Sequence, residues 1–159
     1  MECAKGREEV YAAIQKVMQE SLQQFGMFDT QCLRTELFCK ENLSTVYTTL
    51  EGDYRIRLVF CSEQPLLRAI AENMLEETVE NYEDVVECTK EFFNVVCGHI
   101  VAAIFQTIQA RARFHCPCFA EGYFLPESER ADSLMTFCYT SEQYEPAIFL
   151  HDKLVLSNE

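Results

Sequence analysis

The chain has 159 residues, 48% hydrophobic and 25% charged, and 13 Lys plus Arg against 26 Asp plus Glu give it a formal net charge of -13. That length fits one domain, burying roughly 68–70% of its extended-chain surface without the help of staples. The charge excludes unassisted nucleic-acid binding and attachment to an anionic membrane surface, which both need concentrated Lys and Arg, and the composition is too apolar for disorder.

The opening residues, MECAKGREEV, lack the apolar run of a secretory signal. Residues 8–25 are the first periodic segment. Val10, Ile14, Val17, Met18, Leu22 and Phe25 recur at helical spacing, and Gly26 is placed to stop the helix. Residues 27–43, with Phe28, Leu33, Leu37 and Phe38, read as a strand and a connection. The run STVYTTLEGDYRIRLVF predicts a hairpin turning at Glu51-Gly52-Asp53. Ile56, Leu58 and Phe60 alternate with Arg55, Arg57 and Val59, so one face should be covered and the other wetter. Ser62 is expected to cap a helix that takes Pro65 in its first turn and ends near residue 77. Leu66, Leu67, Ile70, Met74 and Leu75 form its inner face.

The longest pattern runs from about residue 84 to 113 and predicts a helix of about 45 Å. Val85, Cys88, Phe92, Val95, Val96, His99, Ile100, Ala103, Ile104 and Ile108 mark its apolar side. Gly98 does not stop it, and is expected to permit a close crossing by a neighbouring helix or sheet at a cost of about 1 kcal/mol in propensity. His99 is expected to be partly buried and to donate to backbone, while Arg111 and Arg113 suit the negative end of the helix dipole. After Pro117 the period changes. Residues 118–124, 133–140 and 146–151 read as strands, 154–156 as an extension of the last, Ser141-Glu142-Gln143 as a turn and PESERAD as an exposed loop. The order of helix, hairpin, two helices and β-meander implies an α+β fold. It is a single domain with an antiparallel β-sheet packed against long α-helices. No stretch offers about 20 uninterrupted apolar residues, so no membrane span and a cytoplasmic protein are expected.

Nine cysteines, at 3, 32, 39, 61, 88, 97, 116, 118 and 138, are odd in number and scattered through apolar segments, as reduced core thiols are. His115-Cys116-Pro117-Cys118 is the one cluster with metal-ligand chemistry, but Cys-x-Cys lacks zinc-knuckle spacing and no matching pair is evident. The expectation is therefore no metal, with metal binding at His115, Cys116 and Cys118 as the alternative. No phosphate loop, nucleophile elbow or zinc-protease motif is present.

Asp84, Glu87 and Glu91 recur at spacings of three and four on the long helix, and Asn94 extends the same face. Eight of the 26 acidic residues lie between Glu72 and Glu91 and lead directly to Asn94. Spacing alone reads as the solvated face of an apolar helix. Asn94 stands out because Asn is a poor helix former, about 0.6 kcal/mol worse than Ala.

The run ENMLEET followed by EDVVECTKEFFNVVCGHIVAAI resembles the CheX-like chemotaxis phosphatases, relatives of the CheC and FliM group. There a long helix carries Glu-x-x-Asn with a Gly four residues after the Asn, a pattern that Glu91, Asn94 and Gly98 match. The preceding RIRLVFCSEQPLLRAIAENML is similar to the family's strand and amphipathic helix. The likeness covers residues 8–157 and implies that residues 1–159 are one CheX-like unit with no appended module. The resemblance implies a phosphatase that acts on the phospho-aspartate of a CheY-like response regulator. Asn94 would orient a water and Glu91 would meet the regulator's active-site lysine; both belong to the implied catalytic pair. Asp84 and Glu87 would either steer a basic rim of the partner or be ordinary surface, and Phe93 would reach the partner or a neighbouring helix. Gly98 is structural. The chain would hold no cofactor, with Mg2+ in the partner regulator, and homodimers are common in the family. His99 stands where relatives often carry Asn, and Phe92-Phe93 where smaller residues are usual. The alternative function is a non-catalytic module that binds or sequesters a response regulator or flagellar-switch component. A small-molecule enzyme has no catalytic or cofactor signature to support it.

Overall fold

The structure, a computed structural model, describes residues 2–25, 27–30, 42–122 and 135–158. In chain order the elements are α1 (Glu2–Gln23), β1 (Phe28–Thr30), β2 (Leu43–Gly52), β3 (Tyr54–Glu63), α2 (Gln64–Leu75), α3 (Tyr82–Ile108), β4 (Ala112–Phe114), β5 (Cys118–Glu121), β6 (Met135–Thr140), β7 (Ala147–His151) and β8 (Val155–Leu156). The described strands all pair antiparallel in one sheet ordered β1-β6-β7-β3-β2-β4, with β5 on β2 and β8 on β3. This is the α+β architecture expected. Gly26, Leu33, Leu37, Phe38, Phe124, Ser133 and the PESERAD loop lie outside the described residues; of the strand predicted over residues 118–124, β5 takes Cys118–Glu121 and Gly122 falls outside it.

Alternation decides which side of the sheet meets the helices. Ile56, Leu58 and Phe60 of β3, Phe137 and Tyr139 of β6, and Ala147 and Phe149 of β7 join Val10, Ile14, Met18 and Leu22 of α1 in one core. The reverse face is not uniformly wet. Val59, Cys61, Ile148 and Leu150 form a second buried cluster there, so the expected wetter side of β3 holds only toward Arg55 and Arg57. Burial raises the Cys61 thiol to a pKa of about 11 against the lowering hydrogen bond from Thr45, and raises that of Cys97 further. Cys61, Cys97 and Cys138 are buried free thiols, as expected for a reduced core, whereas Cys116 and Cys118 are exposed.

Several boundaries differ from the sequence reading. Ser62 is fully buried inside β3, and Glu63 stands at the α2 N-cap with no side-chain bond. The helix ends at Leu75 because Glu76 turns left-handed at φ 55°, leaving Met74 and Leu75 exposed rather than inward. The long helix runs Tyr82–Ile108 and stops where Gln109 adopts φ 60° and its N–H bonds to the Phe105 carbonyl at 2.8 Å. No basic residue lies in its last turn. Arg113 belongs to β4, and the Arg111 guanidinium stacks 5.0 Å from the Phe105 ring centroid instead of serving the dipole. By length and composition α3 is apolar enough to cross a membrane, yet its inward residues, Val85, Phe92, Phe93, Val96, Cys97, Ile100 and Ile104 among them, are packed in the core.

The hairpin turn fixes the far end of α3. Asp53 N–H donates to the Arg111 carbonyl at 2.8 Å, and Arg111 N–H donates to Asp53 Oδ2 at 2.9 Å. A Cβ at Gly52 would stand 2.5 Å from the Arg111 oxygen and 2.8 Å from the Ala112 Cα, so only glycine lets β2 and β4 approach here. Gly52→Ala is expected to destabilise the fold by about 1–3 kcal/mol, read as a lower midpoint in urea.

His151 is fully buried among aromatic rings, with Tyr11, Phe137 and Phe149 centroids at 5.2, 5.8 and 6.0 Å. Its Nδ1–H donates to the Asp152 carbonyl at 3.0 Å, and Nε2 has no partner among the described residues. Burial depresses its pKa below the ordinary value of 6.5, against the weaker raising effect of the Asp152 bond. The folded state thus favours neutral imidazole, and below about pH 6.5 the unfolded chain binds the extra proton. Stability is expected to fall as pH drops below about 6.5, and His151→Phe should flatten that limb of the melting-temperature profile; an unchanged slope in the variant would refute the assignment.

Candidate functional site

The helix that carries the polar face is held at both ends. Asn81 is extended at the N-cap and its Oδ1 accepts the Glu83 N–H at 2.9 Å, with Glu83 and Asp84 in the first turn where the dipole favours acids. The Tyr82 hydroxyl donates to Glu121 Oε1 at 2.7 Å, tying this end to β5. The Asp53–Arg111 pair holds the segment just beyond the other end.

Between these ends, packing sets the roll of the helix. Phe92 meets Phe25, in the turn after α1, and Phe60 of β3 edge-on, at centroid distances of 5.7 and 6.2 Å. Phe93 is fully buried. Of the two expectations for Phe93, a partner or a neighbouring helix, this corrects the first: its ring is part of the core. Adjacent helical residues point about 100° apart, so the direction opposite two consecutive buried rings falls between the positions before and after them. Those positions are Glu91 and Asn94.

Glu91 is exposed and Asn94 half-buried, and neither side chain has a hydrogen-bond or ionic partner among the described residues. Asp84 and Glu87 are exposed on the same face. Glu87 Oε1 lies 3.6 Å from Lys90 Nζ with 73% of the Glu87 side chain exposed, an ion pair that solvent largely screens. Thr89 points inward instead, donating to the Val85 carbonyl at 2.7 Å. The helix therefore offers a carboxylate and a carboxamide one turn apart, aimed outward from a rigid support. The carboxamide can accept from a water through oxygen and donate through nitrogen while remaining neutral.

Gly98 and His99 depart from expectation. Gly98 is exposed, and a Cβ there would meet nothing within 4 Å, so among the described residues no neighbouring helix or sheet crosses at this glycine. His99 is exposed rather than partly buried. It lines a groove of about 400 Å³ with Val17 of α1, Phe25 just beyond that helix, Met74 of α2 and Val95 of α3. Val95 is 45% and Met74 38% exposed. The helical period assigned both to the interior, and nothing in spacing alone reveals that α1 and α2 leave this side of α3 uncovered.

The other cluster does not assemble a centre. His115, Cys116 and Cys118 are exposed, and no group of three His, Cys, Asp or Glu able to hold a metal forms among the described residues. Cys118 instead stands opposite Tyr47 in the β2–β5 ladder; burial chiefly, and then Cys118, raises the Tyr47 phenol pKa.

The family profile described as "Chemotaxis phosphatase CheX" matches residues 44–123, from the hairpin through α3 to β5. No curated protein sequence matches the chain significantly. Among solved structures, a chemotaxis protein CheX from Vibrio vulnificus superposes with a TM-score of 0.71 at 15% identity, covering 93% of this chain and 97% of that one. A chemotactic CheC-like protein from Shewanella oneidensis MR-1 gives 0.67 at 18% identity, covering 92% and 95%. The chain from a CheX-CheY-BeF3-Mg2+ complex of Borrelia burgdorferi gives 0.66 at 12% identity, covering 91% and 95%. At these identities the superpositions speak for the fold, and with the profile spanning the hairpin and the whole of α3, the chain belongs to the CheX family of chemotaxis phosphatases.

Proposed function

We propose that this protein is a cytoplasmic phosphatase that dephosphorylates the phospho-aspartate of a CheY-like response regulator in chemotaxis or two-component signalling. The observation that carries the reading is the outward pair Glu91 and Asn94, turned to the surface by burial of Phe92 and Phe93 on the family's own helix. A structural neighbour of this chain was solved with CheY, BeF3 and Mg2+, which supports a regulator as the partner here. Residues 1–159 then act as one CheX-like unit.

In this reading the partner brings the phosphorylated aspartate, Mg2+ and a lysine, and this chain brings position. Asn94 enters the partner's site and holds a water in line with phosphorus. Attack forms the new P–O bond, the bond to the aspartyl oxygen breaks and restores the aspartate carboxylate, and one proton of the water stays on the released phosphate while the other passes to solvent. Positioning suffices because an acyl phosphate is already activated. Asn94 is well suited because it remains neutral beside the phosphoryl group, where a carboxylate would add repulsion. Glu91 pairs with the regulator's lysine and sets the register of the docked helix. Two groups on one helix keep their relative placement better than groups on a loop. Asp84 and Glu87 sit at the rim, where charge acts mainly on association rate. Dimerisation, if it accompanies this activity, would use an edge of the sheet, which ends at β1 and at β4 and β5 among the described residues.

Asn94→Ala should lower the saturated rate of phosphate loss from the cognate regulator by roughly 100-fold with a melting temperature no lower than the parent's; equal rates for variant and parent would sink the catalytic role. Glu91→Ala is expected to act mainly on KM, by roughly ten-fold, in saturation kinetics with the phosphorylated regulator. A loss confined to kcat would show that Glu91 does not anchor the partner.

A further inference from the structure

Gly98 lies inside a 27-residue helix, where glycine is the least favourable residue after proline. At Gly52 the fold needs a glycine, since a Cβ would collide with Arg111 and Ala112; at Gly98 a Cβ would meet nothing within 4 Å. The position is exposed, and its backbone lies in an unbroken helix. Among the described residues, neither packing nor backbone conformation accounts for it.

Its place on the helix does. At about 100° per residue, Gly98 falls roughly 40° from Asn94 and 20° from Glu91, one to two turns further along the same outward face. Asn is short, with two rotatable bonds between backbone and carboxamide. A carboxamide that short reaches a neighbour's active site only if the neighbouring surface comes almost to the helix backbone. Any side chain at position 98 would stand between the partner and the bare backbone and hold it off, a longer one further; Glu91 is longer than Asn, but in the phosphatase reading it ends on the regulator's lysine rather than against its surface. Each added carbon stands the partner off by roughly 1.5 Å, and a misplacement of about 1 Å can cost on the order of 100-fold in rate.

We propose that Gly98 is a positioning residue that keeps α3 bare beside Asn94, so that the response regulator packs directly on the helix backbone and the short carboxamide reaches its aspartyl phosphate. The inference rests on the phosphatase reading and adds to it the determinant of docking depth. The helix gives up intrinsic stability at Gly98 for an approach made by another molecule.

The test compares Gly98→Ala and Gly98→Gln with the parent, with Asn94→Ala, and with Ala12→Gln, which places the same side chain on an exposed position of α1. The probes are the host's CheY-like regulator, phosphorylated for rates and activated with beryllofluoride and Mg2+ for affinity. Gly98→Ala should melt roughly 2–4 °C higher than the parent, since it removes a helix-interior glycine from open space. Yet kcat/KM should fall in the order Gly, Ala, Gln, by roughly 100-fold for Gln, with weaker binding of the activated regulator in the same order. Asn94→Ala should lose the rate and keep its affinity within a few-fold, and Ala12→Gln should match the parent in both. A Gly98→Gln protein with parental affinity and parental kcat/KM would overturn the positioning role while leaving the phosphatase reading intact. A parent that neither binds nor dephosphorylates any regulator of its host would overturn both.

Discussion

Burial of Phe92 and Phe93 side by side on α3 fixes the roll of that helix, and the candidate site follows from the roll. One buried aromatic would leave the helix free to rock over a wide arc. Two in succession, about 100° apart, confine the outward direction to the sector between their flanking residues. Phe92 is wedged between Phe25 and Phe60, which belong to different layers, so rotation in either sense breaks a ring contact. Glu91 and Asn94 face outward as the geometric complement of that packing, and no hydrogen bond within the chain is needed to aim them.

The rest of the architecture holds this helix in place. The antiparallel sheet supplies the floor through Phe60, Phe137 and Phe149, and α1 closes the other side through Ile14, Met18 and Leu22. The Asp53–Arg111 exchange, made possible by Gly52, ties the end of α3 to the hairpin turn. The stiffness this gives the middle of α3 is what a mechanism built on positioning requires. The two glycines illustrate a useful distinction. Gly52 is explained by atoms of this chain, whereas at Gly98 no atom of the described residues stands within 4 Å of an added Cβ.

Much of this was legible in the residues. The hairpin at Glu51-Gly52-Asp53, the helix after it, the long apolar helix and the late meander appear where periodicity places them. Boundaries failed where local cues competed. Ser62 has cap chemistry but is paired with Ser44 in the β2–β3 ladder, so the strand runs one residue past it and Glu63 takes the cap. The helical period was carried through Arg113, yet Gln109 turns left-handed and the chain pairs with β2 as β4. Val95, His99 and Gly98, and the partner contact expected of Phe93, depart from the sequence reading for a shared reason. Period tells which residues lie together on a helix but not how far neighbouring elements wrap around it.

The sequence by itself determined that Glu91 and Asn94 share a face, because that relation is set by the rise and twist of one helix. It also carried the family likeness, through residues 72–104, and the acidic balance that excludes phosphate capture by the chain's own cations. Only the tertiary structure decided that this face points away from the core, that Phe93 belongs to the interior and that Gly98 is bare surface. Those are properties of how α1, α2 and the sheet surround α3. They depend on contacts between residues distant in the chain, such as Phe25 with Phe92, and no local pattern records them.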